Sequence, residues 1–299
     1  MKKGVSLLRN GNDQREPVAL KLKKAGYSVQ DICRCLSLSR STFYSRAKMK
    51  VIKPQQVRLE AAIKHVHQEM DATYGSRRMM IELRDLGFNV GRYKVRRLMR
   101  HHKLIAKRPR LHRYPKGGKP SVIAPNLLNR QFNPERMNTH WSGDITYIRT
   151  GQGWLYLAVI VDLCSRKIIS WAFSHKPDSE LTIRAIRLAV NKRRPKTDLI
   201  FHSDQGVQYT SDAFQGCLKE LNIQSSMSRA GNCLDNAVTE RFFRSLKSER
   251  VNYRHYQTRH QAQADIIDYI EPFYNQKRRH YKLGNISPVQ YEMKLMQCA

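Results

Sequence analysis

Asp144, Asp204 and Glu240 are the side chains of this sequence whose type and spacing could do chemistry. Asp144 lies in the strand-like run Trp141-Ser-Gly-Asp-Ile-Thr-Tyr-Ile148, and Asp204 closes a second run, Leu199-Ile-Phe-His-Ser-Asp204. Glu240 falls early in a helical run, Ala237-Val-Thr-Glu-Arg-Phe-Phe-Arg-Ser-Leu-Lys247. Thirty-five residues separate Asp204 from Glu240, in a chain whose formal net charge is +31. Carboxylates gathered in so basic a protein call for a cation. The set predicts two Mg²⁺ ions, replaceable by Mn²⁺, with Asp144 bridging both and Asp204 and Glu240 each holding one. Such a pair activates an oxygen nucleophile and stabilises a leaving oxyanion, which is what phosphodiester cleavage without a covalent enzyme intermediate requires.

Local pattern bears on each of the three. Val238, Phe242 and Leu246 form an apolar stripe at i, i+4, i+8. Glu240 stands about 200° around the helix from Phe242, so it faces away from that stripe, and Lys247 returns to nearly the same side. Lys247 and Arg244 are expected to face a DNA strand; the bland alternative is a surface Glu240–Arg244 pair, worth under about 1 kcal/mol. Asp162 is a decoy, read as structural and paired with Arg166 beside it. Asp235 and Glu249 are also read as structural, with Gly231 and Asn236 shaping the loop that delivers the Glu240 helix.

The elements that must position these residues begin near Asn138. Strands are expected at 141–149, 154–162 and 167–173, the first two joined by a hairpin at Thr150-Gly-Gln-Gly153. A helix capped by Ser179, the Asp204 strand, a helix from Ser211, a short strand at 223–227 and the Glu240 helix follow. The order β-β-β-α-β-α-β-α describes an α/β ribonuclease H-like core with a mixed five-stranded sheet. In that fold the first and fourth strands are neighbours, which would bring Asp144 and Asp204 together. All-α modules precede the core and a helical tail follows it, ending in a helix that Ser287 caps and Pro288 begins. The expected divisions are 1–52, 53–106, a basic linker 107–137, the core 138–252 and an extension 253–299.

Charge indicates the partner. Residues 1–120 hold 30 Lys/Arg against 8 Asp/Glu, and no acidic residue occurs between Asp85 and Glu135. That excess points to a polyanion. Helix-turn-helix grammar coincides with it: Gly26 stops one helix, Ser28 with Asp31 caps a second, and Ser39 caps a third. Arg40, Ser41, Thr42 and Tyr44 would then sit at the exposed start of a recognition helix. A second three-helix module supplies Arg77, Arg78, Arg92, Arg96, Arg97 and Arg100, and the Pro/Gly-containing stretch after it adds Lys107, Arg108 and Arg110 as backbone contacts.

Six cysteines without a Cys-x-x-Cys pair, and histidines without partnered cysteines, exclude a zinc module and fit free thiols in a reducing compartment. No signal peptide and no apolar run of membrane-spanning length are evident, so a soluble, cytoplasmic, nucleoid-associated protein is expected.

Several motifs together carry a resemblance. They are Trp141-Ser-Gly-Asp-Ile-Thr-Tyr147, Tyr156-Leu-Ala-Val-Ile-Val-Asp-Leu-Cys-Ser-Arg166, His202-Ser-Asp-Gln-Gly206, Asp235-Asn-Ala-Val-Thr-Glu-Arg-Phe-Phe243 and Tyr274-Asn-Gln-Lys-Arg-Arg279. With these, the chain closely resembles an Asp-Asp-Glu transposase, the second-frame product of the IS-three insertion-sequence family with its integrase catalytic core. Tyr74-Gly-Ser-Arg-Arg78 and Val95-Arg-Arg-Leu-Met99 are similar to that family's upstream helical module. The resemblance implies Mg²⁺-dependent cleavage at the element's terminal inverted repeats, strand transfer by the freed 3′-OH, a circular intermediate and integration into target DNA. It implies a homo-oligomer, at least a dimer on DNA, because two ends must meet. End recognition has two candidate sources: a fusion with an upstream-frame DNA-binding product, or residues 14–50 themselves. The non-enzymatic alternative is a repressor on an inactive integrase-like scaffold, against which the intact triad argues.

Overall fold

The computed structural model describes residues 12–47, 54–107, 123–128, 132–196, 198–228 and 236–297. Arg108, Arg110, Gly231 and Asp235 lie outside the described residues. The chain divides into two compact units, Met1–Ala61 and Ala62–Ala299.

The first unit contains α1 (Asn12–Lys24), α2 (Val29–Cys35) and α3 (Arg40–Ala47). Gly26 takes φ +90°, the left-handed stop that a side chain would resist. Ser28 then starts α2, its Oγ accepting from the Asp31 N–H at 3.2 Å and donating to the Asp31 carboxylate at 2.5 Å. Ala19, Ile32, Cys33, Leu36 and Phe43 close a small core between the three helices.

Helix α4 (Pro54–Glu69) runs into the second unit, where α5 (Ser76–Asp85) and α6 (Arg92–His101) follow. Each buries one apolar face: Ile63 and Val66, then Met79 and Leu83, then Val95, Leu98 and Met99. The sheet comprises β1 (His140–Thr150), β2 (Gly153–Asp162), β3 (Ile168–Ser174), β4 (Ile200–Ser203) and β5 (Gln224–Met227), in the order β3-β2-β1-β4-β5. The first three strands are antiparallel and β4 and β5 run parallel to β1, the mixed ribonuclease H-like arrangement. Gly153, at φ +96°, makes the β1–β2 turn.

Helix α7 (Ser179–Arg193) packs across β2 and β3. Its N-cap is Asp178, which accepts from the Leu181 N–H at 3.1 Å, and not Ser179 as the sequence suggested. An aspartate one residue earlier offers the stronger acceptor. The short α8 (Val207–Thr210) and α9 (Asp212–Glu220) complete the face where Trp141, Ala158, Ile160, Phe201, Tyr209 and Phe214 share one core. On the opposite face lie α10 (Ala237–Glu249) and α11 (Arg259–Asp268). With a helix layer on each side, β2 buries both alternating sets of its side chains. A π-helical stretch, Tyr269–Asn275, and α12 (Pro288–Gln297), started by Ser287 as expected, finish the chain.

Candidate active site

Register brings the two aspartates together. Parallel pairing matches Trp141 with Phe201 and Ser142 with His202. Asp144 and Asp204 each stand two residues beyond that last pair, at the point where β4 stops and β1 continues. Alternation sets the side. Trp141 faces the α9 core, and Gly143 faces it too: a Cβ on Gly143 would stand 2.4 Å from Phe201 Cζ. Ser142 and Asp144 therefore face the α10 side.

Helix α10 is pinned there by a buried polar cluster. Ser142 Oγ donates to Asn236 Oδ1 at 2.8 Å and meets Thr239 Oγ1 at 2.5 Å, while Asn236 Nδ2 donates to the Gly143 carbonyl at 3.4 Å. Thr239 immediately precedes Glu240, so this cluster fixes how the glutamate is presented over β1. Ser142 and Thr239 were not singled out from the sequence, although Ser142 shares a strand face with Asp144 and that alternation was a usable signal.

Asp204 sits at an exposed rim, with Asp144 and Glu240 half-buried behind it. Burial first, then the charge of Asp204, push the Asp144 carboxyl well above the usual carboxylate range; Glu240 adds to the rise, while the Ile145 N–H at 2.7 Å and Lys247 oppose it. Even at the rim, the protein packed around the Asp204 carboxyl removes enough water to raise it, against the Gly206 N–H, which donates to its Oδ1 at 3.0 Å. Glu240 is raised by burial, with Arg244 lowering it and Asp204 adding to the rise. Three hard-oxygen groups that disfavour one another's charge form a donor set that a divalent cation would satisfy, so these residues fit such an ion chemically. Among the described residues, no group of three or more His, Cys, Asp or Glu already lies at metal-holding distance.

Other expected site residues fall in different settings. Lys247 is only 5% exposed, its Nζ 4.8 Å from the centre of the Tyr147 ring, with burial lowering its pKa against the pull of Asp144. Arg244 is exposed, as are Arg77 and, on α6, Arg92, Arg96, Arg97 and Arg100. In the first unit Arg40, Ser41 and Tyr44 are exposed on α3; the Thr42 side chain is outside the described ones. Arg78 and Lys107 are half-buried and already engaged. Arg78 lies 3.7 Å from Glu249 and over the Tyr74 ring, and Lys107 reaches Asp71 at 2.8 Å and the Glu249 carbonyl at 2.9 Å. In sequence both read as open basic residues, because their acceptor at Glu249 is supplied from far along the chain.

Asp162 is fully buried and structural, as expected, but Arg166 is not its ion-pair partner. The carboxylate accepts from the N–H groups of Asn138, Cys164 and Ser165 at 2.7, 2.9 and 3.0 Å, and the Arg166 guanidinium donates to Phe132 O and Asn133. Backbone donors at a strand end were nearer than the side chain. Cys33, Cys35, Cys164 and Cys217 are free thiols.

Gly143 carries a direct prediction. Gly143→Ala would drive a methyl into the buried Phe201 ring and toward Ile160 Cδ1, so a loss of about 1–3 kcal/mol is expected from overpacking. Denaturant melts of the two proteins measure it; coincident curves would mean that Phe201 turns aside freely.

The sheet order, with two aspartates in register and a glutamate-bearing helix across them, defines the integrase-core class of polynucleotidyl transferases. Comparison with known proteins agrees: residues 134–233 and 240–296 match the integrase core domain family, and residues 54–112 match an HTH-like domain. The "Insertion element IS600 uncharacterized 31 kDa protein" of Shigella sonnei is 38% identical over 271 residues, 90% of this chain and 100% of that protein. "Transposase InsF for insertion sequence IS3A" of Escherichia coli K12 is 36% identical over 284 residues, 93% of this chain and 98% of that one. Among solved structures, the catalytic core domain of BIV integrase is 18% identical, covering 54% of this chain and 97% of its own, with a TM-score of 0.41. The chain belongs to the IS3 family of transposases. No helix among the described residues is long and apolar enough to cross a membrane.

Proposed function

We propose that this transposase binds the terminal inverted repeats of its own insertion sequence and cuts DNA at the Asp144, Asp204 and Glu240 site, the freed 3′-OH then attacking a second strand. The observation that carries the reading is the placement of Asp144 and Asp204 at equivalent positions on adjacent parallel strands, with α10 pinned over them through Ser142 and Thr239. These three residues would hold divalent cations, Mg²⁺ with Mn²⁺ as substitute, which when bound supply nucleophile activation and leaving-group stabilisation. The chain itself does the rest. The open rim at Asp204 admits a phosphodiester, and exposed Arg244 stands one helical turn from Glu240 on the same side. The exposed arginines of α6 and the start of α3 hold the duplex through its phosphates. Joining of one end to the other through a circular intermediate, and a complex of at least two copies, belong to the same proposal, because strand transfer requires two ends in one assembly.

A duplex carrying the element's own end tests this against the repressor alternative. With Mg²⁺ the protein is expected to nick it at the element boundary, and a chelator should abolish nicking while leaving binding intact. Binding without nicking under any divalent cation would favour the repressor. Affinity for the same duplex is expected to fall with a log–log salt slope of roughly −0.9 per neutralised phosphate, and a flat response would remove the basis for reading the basic surface as a DNA contact.

A further inference from the structure

Gly206 has no backbone reason to be a glycine. Its φ of −61° and ψ of 144° are extended values open to any residue. The reason stands beside it. A Cβ on Gly206 would lie 2.9 Å from Asp204 Oδ1, 3.6 Å from Asp204 Cγ and 3.3 Å from Gln208 Oε1. The bare Cα leaves that space to the carboxylate, and the Gly206 N–H donates to the same Oδ1 at 3.0 Å. One residue thus both holds the carboxylate oxygen and makes room for it.

The backbone on either side of this contact is tied down. The Gly206 carbonyl accepts from the Tyr209 and Thr210 N–H groups at 2.9 and 3.1 Å, and from Thr210 Oγ1 at 3.3 Å. On the Asp204 side, Ser228, the residue after β5, brackets the turn. Its N–H and its Oγ both donate to the Ser203 carbonyl, at 2.9 and 3.2 Å, and its own carbonyl accepts from Gln205 Nε2 at 2.9 Å. Gln208 is anchored as well, its Nε2 donating to the Pro177 carbonyl at 2.8 Å. A methyl group added at Gly206 would therefore act on the part that can turn, the Asp204 side chain exposed at the rim of the site.

We propose that Gly206 is a positioning residue: by presenting an N–H and no side chain, it sets the direction of the Asp204 carboxylate for cation binding. The inference rests on the reading of Asp204 as a cation ligand. Groups behind a ligating side chain set its direction, and disturbing them lowers metal affinity or activity about 10–100-fold. Gly206 acts through Asp204 and needs no contact with DNA. Its replacement by alanine alters no charge, so any change in cation binding reports the carboxylate's direction.

Gly206→Ala in the full-length chain tests it, with Asp204→Asn as the control. Mn²⁺ binding to the protein on its end duplex is followed by the resonance signal of the free ion, beside melting temperature, DNA affinity and nicking across a Mn²⁺ titration. Alanine suits the backbone angles of this position and restricts the unfolded chain, so a melting temperature equal to or above the parent's is expected. DNA affinity should be unchanged, Mn²⁺ affinity about 10-fold lower or more, and half-maximal nicking should need correspondingly more Mn²⁺. Parental Mn²⁺ binding and nicking in Gly206→Ala, with both lost in Asp204→Asn, would overturn the glycine's role and leave the carboxylate site standing. Parental behaviour of both variants would overturn the site reading and this inference with it. A lowered melting temperature in Gly206→Ala would show the methyl displacing the turn and not the carboxylate, and would also overturn the proposal.

Discussion

Asp144→Asn is expected to abolish nicking of an end-containing duplex, slowing it by about 10³-fold or more, while the protein stays folded and binds DNA as before. The size follows from the chemistry proposed for the site: charge stabilisation by held cations supplies several kcal/mol of the barrier reduction, and each 1.4 kcal/mol is tenfold in rate. The substitution is nearly isosteric, so the separation of function from fold is the informative part. Asp144 is crowded by burial and by the charges of Asp204 and Glu240. Replacing it with a neutral amide relieves that repulsion, and its melting temperature should equal or exceed the parent's. Single-turnover nicking, a binding isotherm and a melt on the same preparations check all three statements. A variant that cuts at the parental rate would remove Asp144 from the site; one that neither folds nor binds would assign it a structural role instead.

The second large effect is on stability, at the far end of the Glu240 helix. Glu249 is buried, and Arg278 grips both of its oxygens, through Nε at 2.8 Å and Nη2 at 2.7 Å. The Tyr269 hydroxyl donates to the same carboxylate at 2.7 Å. Arg279 meanwhile reaches back to α5, pairing with Glu82 at 2.5 Å and Asp85 at 2.6 Å, and its N–H donates to the Tyr74 hydroxyl at 3.0 Å. Two adjacent arginines of the tail thus bind α10 on one side and α5 on the other. Glu249→Gln would strand the buried Arg278 guanidinium, and breaking such a pair costs about 3–5 kcal/mol. For a unit of this size that corresponds to a fall in melting temperature on the order of 10 °C.

The pH dependence of the difference has a definite sign. Burial alone would raise the Glu249 carboxyl, but Arg278, with the Tyr269 hydroxyl and Arg78, outweighs it and holds the group below the usual range. Its folded pKa lies below its unfolded one, so the stabilisation is fully present above the ordinary glutamate value. It fades as pH falls through the depressed folded value. The gap between parent and Glu249→Gln should therefore be widest near neutrality and close in acid. Equal melting at neutral pH, or a gap that persists once the carboxyl is protonated, would contradict the role assigned to this pair.

Much of this architecture was legible in the chain. Turn residues with positive φ at Gly26 and Gly153 and caps at Ser28 and Ser287 act within a few residues, so local chemistry marks them directly. The β-β-β-α-β-α-β-α order was readable for the same reason, and it led to the side-by-side placement of β1 and β4. What escaped were features assembled across long sequence separations. Lys247 read as a cation on the Glu240 face, turned toward a DNA strand, yet α10 is covered on more than one side and buries it against Tyr147. Arg78 and Lys107 read as DNA contacts until Glu249 arrived as their partner.

By itself the sequence determined the kind of chemistry, the three carboxylates that could carry it and the sheet that would hold two of them, because residue type, period-two alternation and a fixed spacing are local or countable properties. Only the tertiary structure decided what surrounds those carboxylates: Ser142, Asn236 and Thr239 beneath Glu240, and Gly143 yielding space to Phe201. It also decided which cations stay exposed and which close the fold on itself. Burial and pairing depend on what the folded chain brings from elsewhere, and a carboxylate such as Glu249 acquires its meaning only when Arg278 is folded against it.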